Sequence, residues 1–392
     1  MIARYREGFN RAFQEAQYRI LLDRLAQESG TPVAFRVSET PCFLPATLVG
    51  TLQRYGQEIV GQLLGNAEYL TAAAATVPQG YRVPNDTDTP LFLQADFGLD
   101  ENHHPQLVEI QGFPSLYAFQ PVLATTYREV FGIDNALPMF MSGLTEETYH
   151  AVLRRAIVGD HDPENVVLLE VHPFRQKTLP DFLLTERYYG VTPLCITEVR
   201  KEGKRLLYRR ENRWIPIERI YNRVIVEELI QKNITSEFNL RDEVAVEWAG
   251  HPSWYFKISK FSLPYLRHPA VPETHFLHTL ATLPDDLENW VLKPLFSFAG
   301  HGVVVGPKPE DIANVTDPTQ FILQRRVNFQ PIIETPFGPT KAEIRVMYVQ
   351  SDGELLPVSM LLRMGRGKQM GVDHNREMSW VGASAAFIDP NV

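Results

Sequence analysis

The sequence predicts a mixed α/β (α+β) protein containing more than one sheet, and three observations carry that expectation. Residues 164–199 read as strand, helix, strand, the pattern of a small parallel sheet. Two stretches, 91–113 and 342–364, alternate with period two around polar turns and read as antiparallel hairpins. The first 75 residues instead carry apolar side chains at helical spacing.

In order along the chain, Phe9, Phe13, Ala16, Ile20 and Leu21 fit a helix, and a second periodic run extends from Leu48 to Leu64. Between them, Thr31-Pro32 and Thr40-Pro41 bracket a strand-like VAFRV, because the residue before a proline is biased away from helix. LFLQADFG (91–98) and QLVEIQGF (106–113) flank a polar turn from Leu99 to Pro105 that holds His103 and His104. A hairpin symmetric about Asn102 and His103 sets Asp96 opposite Glu109 and Gln94 opposite Gln111. Helices are expected from about Pro121 to Phe131 and from Thr145 to Ile157. ENVVLLEV, a helix near 178–189 and TPLCITEV form the β-α-β unit, and ERIYNRVIVEEL (218–229) begins as a strand. The remaining strands are NWVLKPL, GVVVG, FILQRRV, AEIRVMYV and ELLPVSMLLRM, the last two joined by Ser351-Asp352-Gly353.

Composition limits the function. The 392 residues are 44% hydrophobic, 22% charged and 11% aromatic, which is globular, and 47 acidic residues against 38 Lys and Arg give no footprint for nucleic acid or an acidic membrane. With only Cys42 and Cys195, a disulfide scaffold and a cysteine-rich zinc site are excluded, and a reducing, cytoplasmic setting is expected. No run approaches a membrane span. There is no G-x-S-x-G elbow, H-E-x-x-H helix or G-x-G-x-x-G fingerprint. Cys195, inside an apolar strand, reads as a buried thiol, and His172, before a proline, as structural without a partner.

Two features remain that can carry chemistry. Asp96, Glu109 and Gln111 form an oxygen cluster on one hairpin face; like charges so close need exposure or a cation, and Mg²⁺ suits such hard oxygens. The alternative is an exposed polar face. Lys293 ends an apolar strand and is followed by a loop containing Gly300 and Gly302, so ammonium and backbone N–H groups can meet phosphate there. An ordinary hairpin with a surface lysine is the alternative. Lys260, Gln324, Arg345, Arg363, Arg366 and Lys368 are further candidates. Glu343 and Arg345, on one strand face, read as phosphate contacts or an exposed salt bridge.

Taken in order, these blocks resemble the glutathionylspermidine synthase family. QADFGLDENHHPQLVEIQGFPS (94–115) is similar to that family's acidic hairpin, approximately R-Y-D-F, a turn, then E-Y-N-A-D-T-P. KISKFSLP, WVLKPLFSFAGHGV, FILQRRV and LLRMGRG resemble its later lysine, lysine-plus-glycine-loop, glutamine and arginine elements. The resemblance implies a circularly permuted ATP-grasp fold with a small Rossmann-like parallel-sheet subdomain and a mobile lid. It divides the chain into helices plus metal hairpin (1–160), a Rossmann-like substrate subdomain (161–245), a lid with the nucleotide lysines (246–330) and a return to the catalytic sheet (331–392). It implies ATP and Mg²⁺ as cofactors, with Asp96, Glu109 and Gln111 as metal ligands. Lys260, Lys293, Gly300, Gly302 and Gln324 then stand on the nucleotide and Arg363 at the reacting phosphate, where Arg345, from the residue reading above, is taken as a second catalytic arginine. Gln94 stands where the family has arginine, and Gln111 where it has asparagine. The activity implied is amide formation between small-molecule or peptide carboxylate and amine substrates through an acyl phosphate. Phosphorylation of a small acceptor, or nucleotide binding without turnover, are the alternative functions.

Overall fold

The computed structural model describes residues 2–297, 300–368, 370, 375 and 377–392. Alternation in 91–113 closes into the hairpin expected: Phe92–Leu99 pairs antiparallel with Pro105–Gln111, Asp96 opposite Glu109 and Gln94 opposite Gln111. The Asp100 carboxylate fixes the turn by accepting from the backbone N–H groups of Asn102 and His104, both at 2.9 Å. His103 and His104 are exposed there.

The hairpin belongs to the largest sheet, whose neighbours run Cys42–Pro45, Gly382–Asp389, Glu354–Gly365, Thr340–Ser351, Phe92–Leu99 and Pro105–Gln111. Pro331–Ile333 also pairs with Thr340–Ser351. Early and late parts of the chain thus share one sheet. Helices cover both of its faces. On one, Phe92, Met347, Val349 and Leu361 join the core under helices Glu15–Ser29, Phe119–Phe131 and Glu146–Val158. On the other, Leu93, Ala95, Phe97, Ile344, Val346 and Leu362 pack with Val49, Leu52, Ile59 and Val60 of helix Ala46–Leu64.

A parallel sheet runs Glu247–Ala249, Arg219–Asn222, Val166–Glu170, Thr192–Cys195, with helix Leu179–Tyr189 as the crossover between its last two strands. Gly190 stops that helix: at φ 75° it takes the left-handed conformation and returns its N–H to Glu186 O. An antiparallel sheet runs Thr274–Phe276, Phe321–Arg325, Trp290–Pro294, Val304–Val305.

Several expectations need correction. VAFRV forms no strand; only Val37 makes an isolated bridge, to Ala383, and the edge strand starts at Cys42. The first helix breaks at Phe13 and Gln14, giving Ala3–Ala12 and Glu15–Ser29. Phe13 turns extended and stacks its ring against Phe131 and Trp380, so aromatic packing overrides local helical spacing. TPLCITEV leaves the strand after Cys195, where Glu198 reaches back to the Cys195 N–H at 3.0 Å.

Helix Ala46–Leu64 lies close on the sheet at Gly56, where a Cβ would stand 1.7 Å from the Tyr348 hydroxyl. Both sit in rigid elements, so the added methyl has no room. Gly56→Ala is expected to destabilise the fold by about 1–3 kcal/mol despite alanine's better helix propensity, read as a lower midpoint in urea unfolding. An unchanged or higher midpoint would contradict the close approach.

Candidate active site

The face of the large sheet that packs apolar side chains at one end turns charged at the other. Two-residue steps lead from Phe92 through Gln94 to Asp96, from Met347 through Arg345 to Glu343, and from Leu361 to Arg363. Register then aligns opposite charges, because Asp96 faces Arg345 across one strand pair and Glu343 faces Arg363 across the next.

Asp96, Glu343 and Arg345 are buried, and Arg363 is partly so. Asp96 is 1% exposed, and Arg345 grips it with Nε on Oδ1 and Nη2 on Oδ2, both at 2.6 Å. Arg363 Nη2 also donates to Asp96 Oδ2 and pairs with Glu343, joining the two carboxylates. Arg345 Nη1 donates to Gln94 Oε1 at 3.1 Å, and Gln111, with its amide oxygen turned toward the guanidinium, accepts from Nη1 and Nη2 at 3.0 Å. Gln94 in turn donates to Ser115 O at 2.8 Å. Glu343 therefore pairs with Arg363 rather than forming an exposed salt bridge with Arg345.

The lysines arrive from outside the large sheet. The hairpin's outer strand docks on the segment after residue 257, through Gly112 N to Ile258 O at 2.9 Å and Leu107 N to Ala270 O at 2.6 Å. Docking brings Lys260 Nζ to 3.6 Å from Glu109 and 2.8 Å from Ser297 O. Lys293, in strand Trp290–Pro294, donates to Val108 O at 3.0 Å and to Gln324 Oε1 from the paired strand. The lysines thereby clamp the four-stranded sheet to the hairpin.

Four cations gather around Asp96, Glu109 and Glu343, with Glu227 beside Lys260 as a further carboxyl raised by burial, and the electrostatics follow. Burial works to raise the Glu109 carboxyl, but Lys260, Arg363, Arg345 and Lys293 outweigh it and hold it below the usual carboxylate range. Glu343 goes the other way: burial raises it, Asp96 and Glu109 add to that, and Arg363 opposes. Burial lowers Lys293 to about 8, Glu109 opposing and Lys260 assisting. Arg363, despite burial, binds its proton more firmly because of Glu343, Asp96 and Glu109.

Beside these charges, two donors lack acceptors among the described residues. Arg363 Nε and Ser297 Oγ are both buried without a hydrogen bond. An unsatisfied buried donor is costly, so phosphate oxygens of a nucleotide fit this place. Gly300 and Gly302, at φ 74° and 73°, form the turn after Lys293, and a Cβ on Gly302 would stand 2.9 Å from Pro294. Phe298 and Ala299 of that loop, and Gln369 and Gly371 beyond Lys368, lie outside the described residues. Arg366 is engaged elsewhere, with Thr340 and Ser379.

Mg²⁺ fits less well. The hairpin brings Asp96, Glu109 and Gln111 together, but both Asp96 oxygens and the Gln111 oxygen already face guanidinium N–H groups. Among the described residues no group of three or more His, Cys, Asp or Glu side chains is arranged to hold a metal ion. As arranged, the expected ligand set does not fit the ion, because Arg345 stands among its oxygens.

A further group was only faintly legible in the sequence. Arg223, after strand Arg219–Asn222, is 4% exposed, lies over the rings of Phe113 and Phe182 at 4.9 and 5.4 Å, and has no acceptor for Nε or Nη1. Phe113 follows the hairpin by two residues, and the buried carboxylates of Glu170 and Asp181 are the charges that Arg223 acts on. Nearby, His172 is not partnerless: Nδ1 lies 3.7 Å from the buried Cys195 Sγ.

No family model matches the sequence, and no curated protein is similar to it. Among solved structures, the chain is similar to a glutathione synthetase-like effector (GSS30) from Globodera pallida, determined in its apo form. The TM-score is 0.58 with 12% identity, over 96% of each chain. The chain thus has an α+β, ATP-grasp-type fold like that of the glutathione synthetase-like protein.

Proposed function

We propose that this chain is an ATP-dependent carboxylate–amine ligase, similar in its synthetase chemistry to glutathionylspermidine synthase. The observation that carries the reading is the convergence of Lys260, Lys293 and Arg363, with the unpartnered Arg363 Nε and Ser297 Oγ, where the two sheets meet.

In this reading Lys260, Lys293 and Arg363 take the phosphate oxygens of ATP and spread the charge that moves during phosphoryl transfer. A substrate carboxylate oxygen attacks the γ-phosphorus, the bond to the β-phosphate oxygen breaks and ADP leaves. The amine then attacks the acyl carbon, loses a proton and expels inorganic phosphate. No protein nucleophile is required. The Gly300–Gly302 turn closes over the phosphates and limits water, which would hydrolyse the acyl phosphate. Arg223, with two unpaired donors, receives a carboxylate of the small-molecule or peptide substrate. Mg²⁺ is given no step here, because the arranged oxygens do not fit it. We take the substrates to be cytoplasmic, a setting that the free Cys42 and Cys195 support.

A second reading rests on the closed Asp96–Arg345 pair: the chain holds nucleotide without acceptor-dependent turnover. Thermal unfolding with a non-hydrolysable ATP analogue tests the shared step. Saturating analogue is expected to raise the midpoint of wild type, and Lys293→Ala to lose most of that shift while staying folded. No wild-type shift would remove both readings. ADP release that rises with an added carboxylate and amine separates them, because the ligase reading requires it and the binding reading does not.

The lowered Lys293 sets a pH dependence. Below about 8 the ammonium is charged and attracts phosphate; above it the proton is lost and the attraction fades. A charged hydrogen bond contributes about 1.5–3 kcal/mol, so affinity for the analogue is expected to fall roughly tenfold or more from about pH 7 to about pH 9.5. In Lys293→Met the fall should be absent. A flat wild-type profile would contradict Lys293 as a phosphate contact.

A further inference from the structure

We propose that Arg345 is the built-in cation of this site: its guanidinium takes the place of a divalent ion at Asp96, so the nucleotide-free protein binds no free Mg²⁺ or Mn²⁺ there. The inference deepens the proposed nucleotide site and rests on that reading for its use, though its own test contains no nucleotide.

Geometry and charge both support it. Carboxylates on neighbouring strands, with an amide oxygen two residues from Glu109, are the hard oxygen set that a small dication requires. Here a planar guanidinium fills the space between them. Arg345 meets both Asp96 oxygens at 2.6 Å, the Gln111 oxygen at 3.0 Å and Glu109 Oε1 at 3.7 Å. One side chain thereby touches all three oxygen-bearing groups. The fork matches a carboxylate in two parallel bonds, which lysine cannot reproduce. Arg363 adds a second guanidinium on Asp96 Oδ2.

The charge balance points the same way. Lys260, Lys293, Arg345 and Arg363 surround Asp96, Glu109 and Glu343, and the fourth carboxylate near them, Glu227 beside Lys260, is driven toward its neutral form by burial. An arriving dication meets surplus positive charge at close range, whereas an arriving anion meets attraction. Phosphate oxygens are then received directly by side-chain N–H groups.

The test is Mn²⁺ binding to the nucleotide-free protein, followed by electron paramagnetic resonance of the free ion. Wild type is expected to show no saturable Mn²⁺ site in the millimolar range. Arg345→Gln, checked for native circular dichroism, is expected to gain one saturable site, lost again when Asp96→Asn is added. If Arg345→Gln does not fold, Arg345→Lys, which frees one Asp96 oxygen, is expected to gain weaker binding that Asp96→Asn removes. One Mn²⁺ bound by wild type and lost in Asp96→Asn would overturn the proposal. So would a folded Arg345→Gln or Arg345→Lys protein that gains no ion. Failure of the nucleotide reading is recognised separately, by the absence of a thermal shift with the ATP analogue.

Discussion

The bidentate contact between Asp96 and Arg345 is the constraint on which the arrangement of this molecule turns. A carboxylate 1% exposed at the centre of a sheet is tolerable only with its oxygens engaged. Arg345 meets that need from the adjacent strand, and this fixes the register of Thr340–Ser351 on Phe92–Leu99. Slipping that strand by one residue would turn Arg345 into the apolar layer of helix Ala46–Leu64 and leave Asp96 uncompensated. Removing one member of such a pair generally costs about 3–5 kcal/mol, since the other charge stays buried. The same contact aligns Glu343 with Arg363 one strand further on, so a single register sets the whole charged face.

The site is a seam between separately built parts. The large sheet supplies carboxylates and arginines on strands covered by helices on both faces, a rigid support. The lysines come from a segment and a small sheet that dock on the hairpin's outer strand through few bonds, among them Lys293 to Val108 O and Lys260 to Glu109. The elements beside the phosphate region are thus held partly by the charges a ligand would engage. Such a seam can open with less disruption than the core.

Much of this was legible in the sequence, and the reason is locality. The hairpin of Asp96 and Glu109 spans few residues and its turn is marked by polar side chains; the expected pairs are met because a one-residue register shift between Asp96 and Phe97 offsets the turn, which pairs Phe97 with Leu107. The helices at 119–131 and 146–158 and the parallel β-α-β unit declare themselves by period and caps. What escaped was long-range. Nothing near Arg345 in sequence shows that its strand lies beside Asp96, 249 residues away, or that Glu343 would face Arg363. The signal was present but unspecific: two charged residues inside AEIRVMYV, a strand otherwise made for burial. Metal binding is read from the hairpin's oxygens and from the family resemblance, and neither places the strand that bears their counter-charge. The N-terminal helix break and the loss of VAFRV as a strand have the same origin, in partners supplied by Phe131, Trp380 and Ala383.

The order of strands also bears on how the chain reaches this state. Thr340–Ser351, Glu354–Gly365 and Gly382–Asp389 stand between Cys42–Pro45 and Phe92–Leu99, so the middle of the large sheet is synthesised long after the strands on either side of it. A ribosome-bound chain of three hundred or so residues carries the two early strands with no neighbour to bridge them, and Asp96 without either guanidinium. The parallel β-α-β unit has no such dependence and can settle early. Formation of the large sheet must therefore wait for the final strands, and its many non-local pairings make closure slow relative to helix formation. Until then the exposed edge of Phe92–Leu99 is a place where nascent chains can pair wrongly, which ties yield of this protein to the time between translating residue 99 and residue 351.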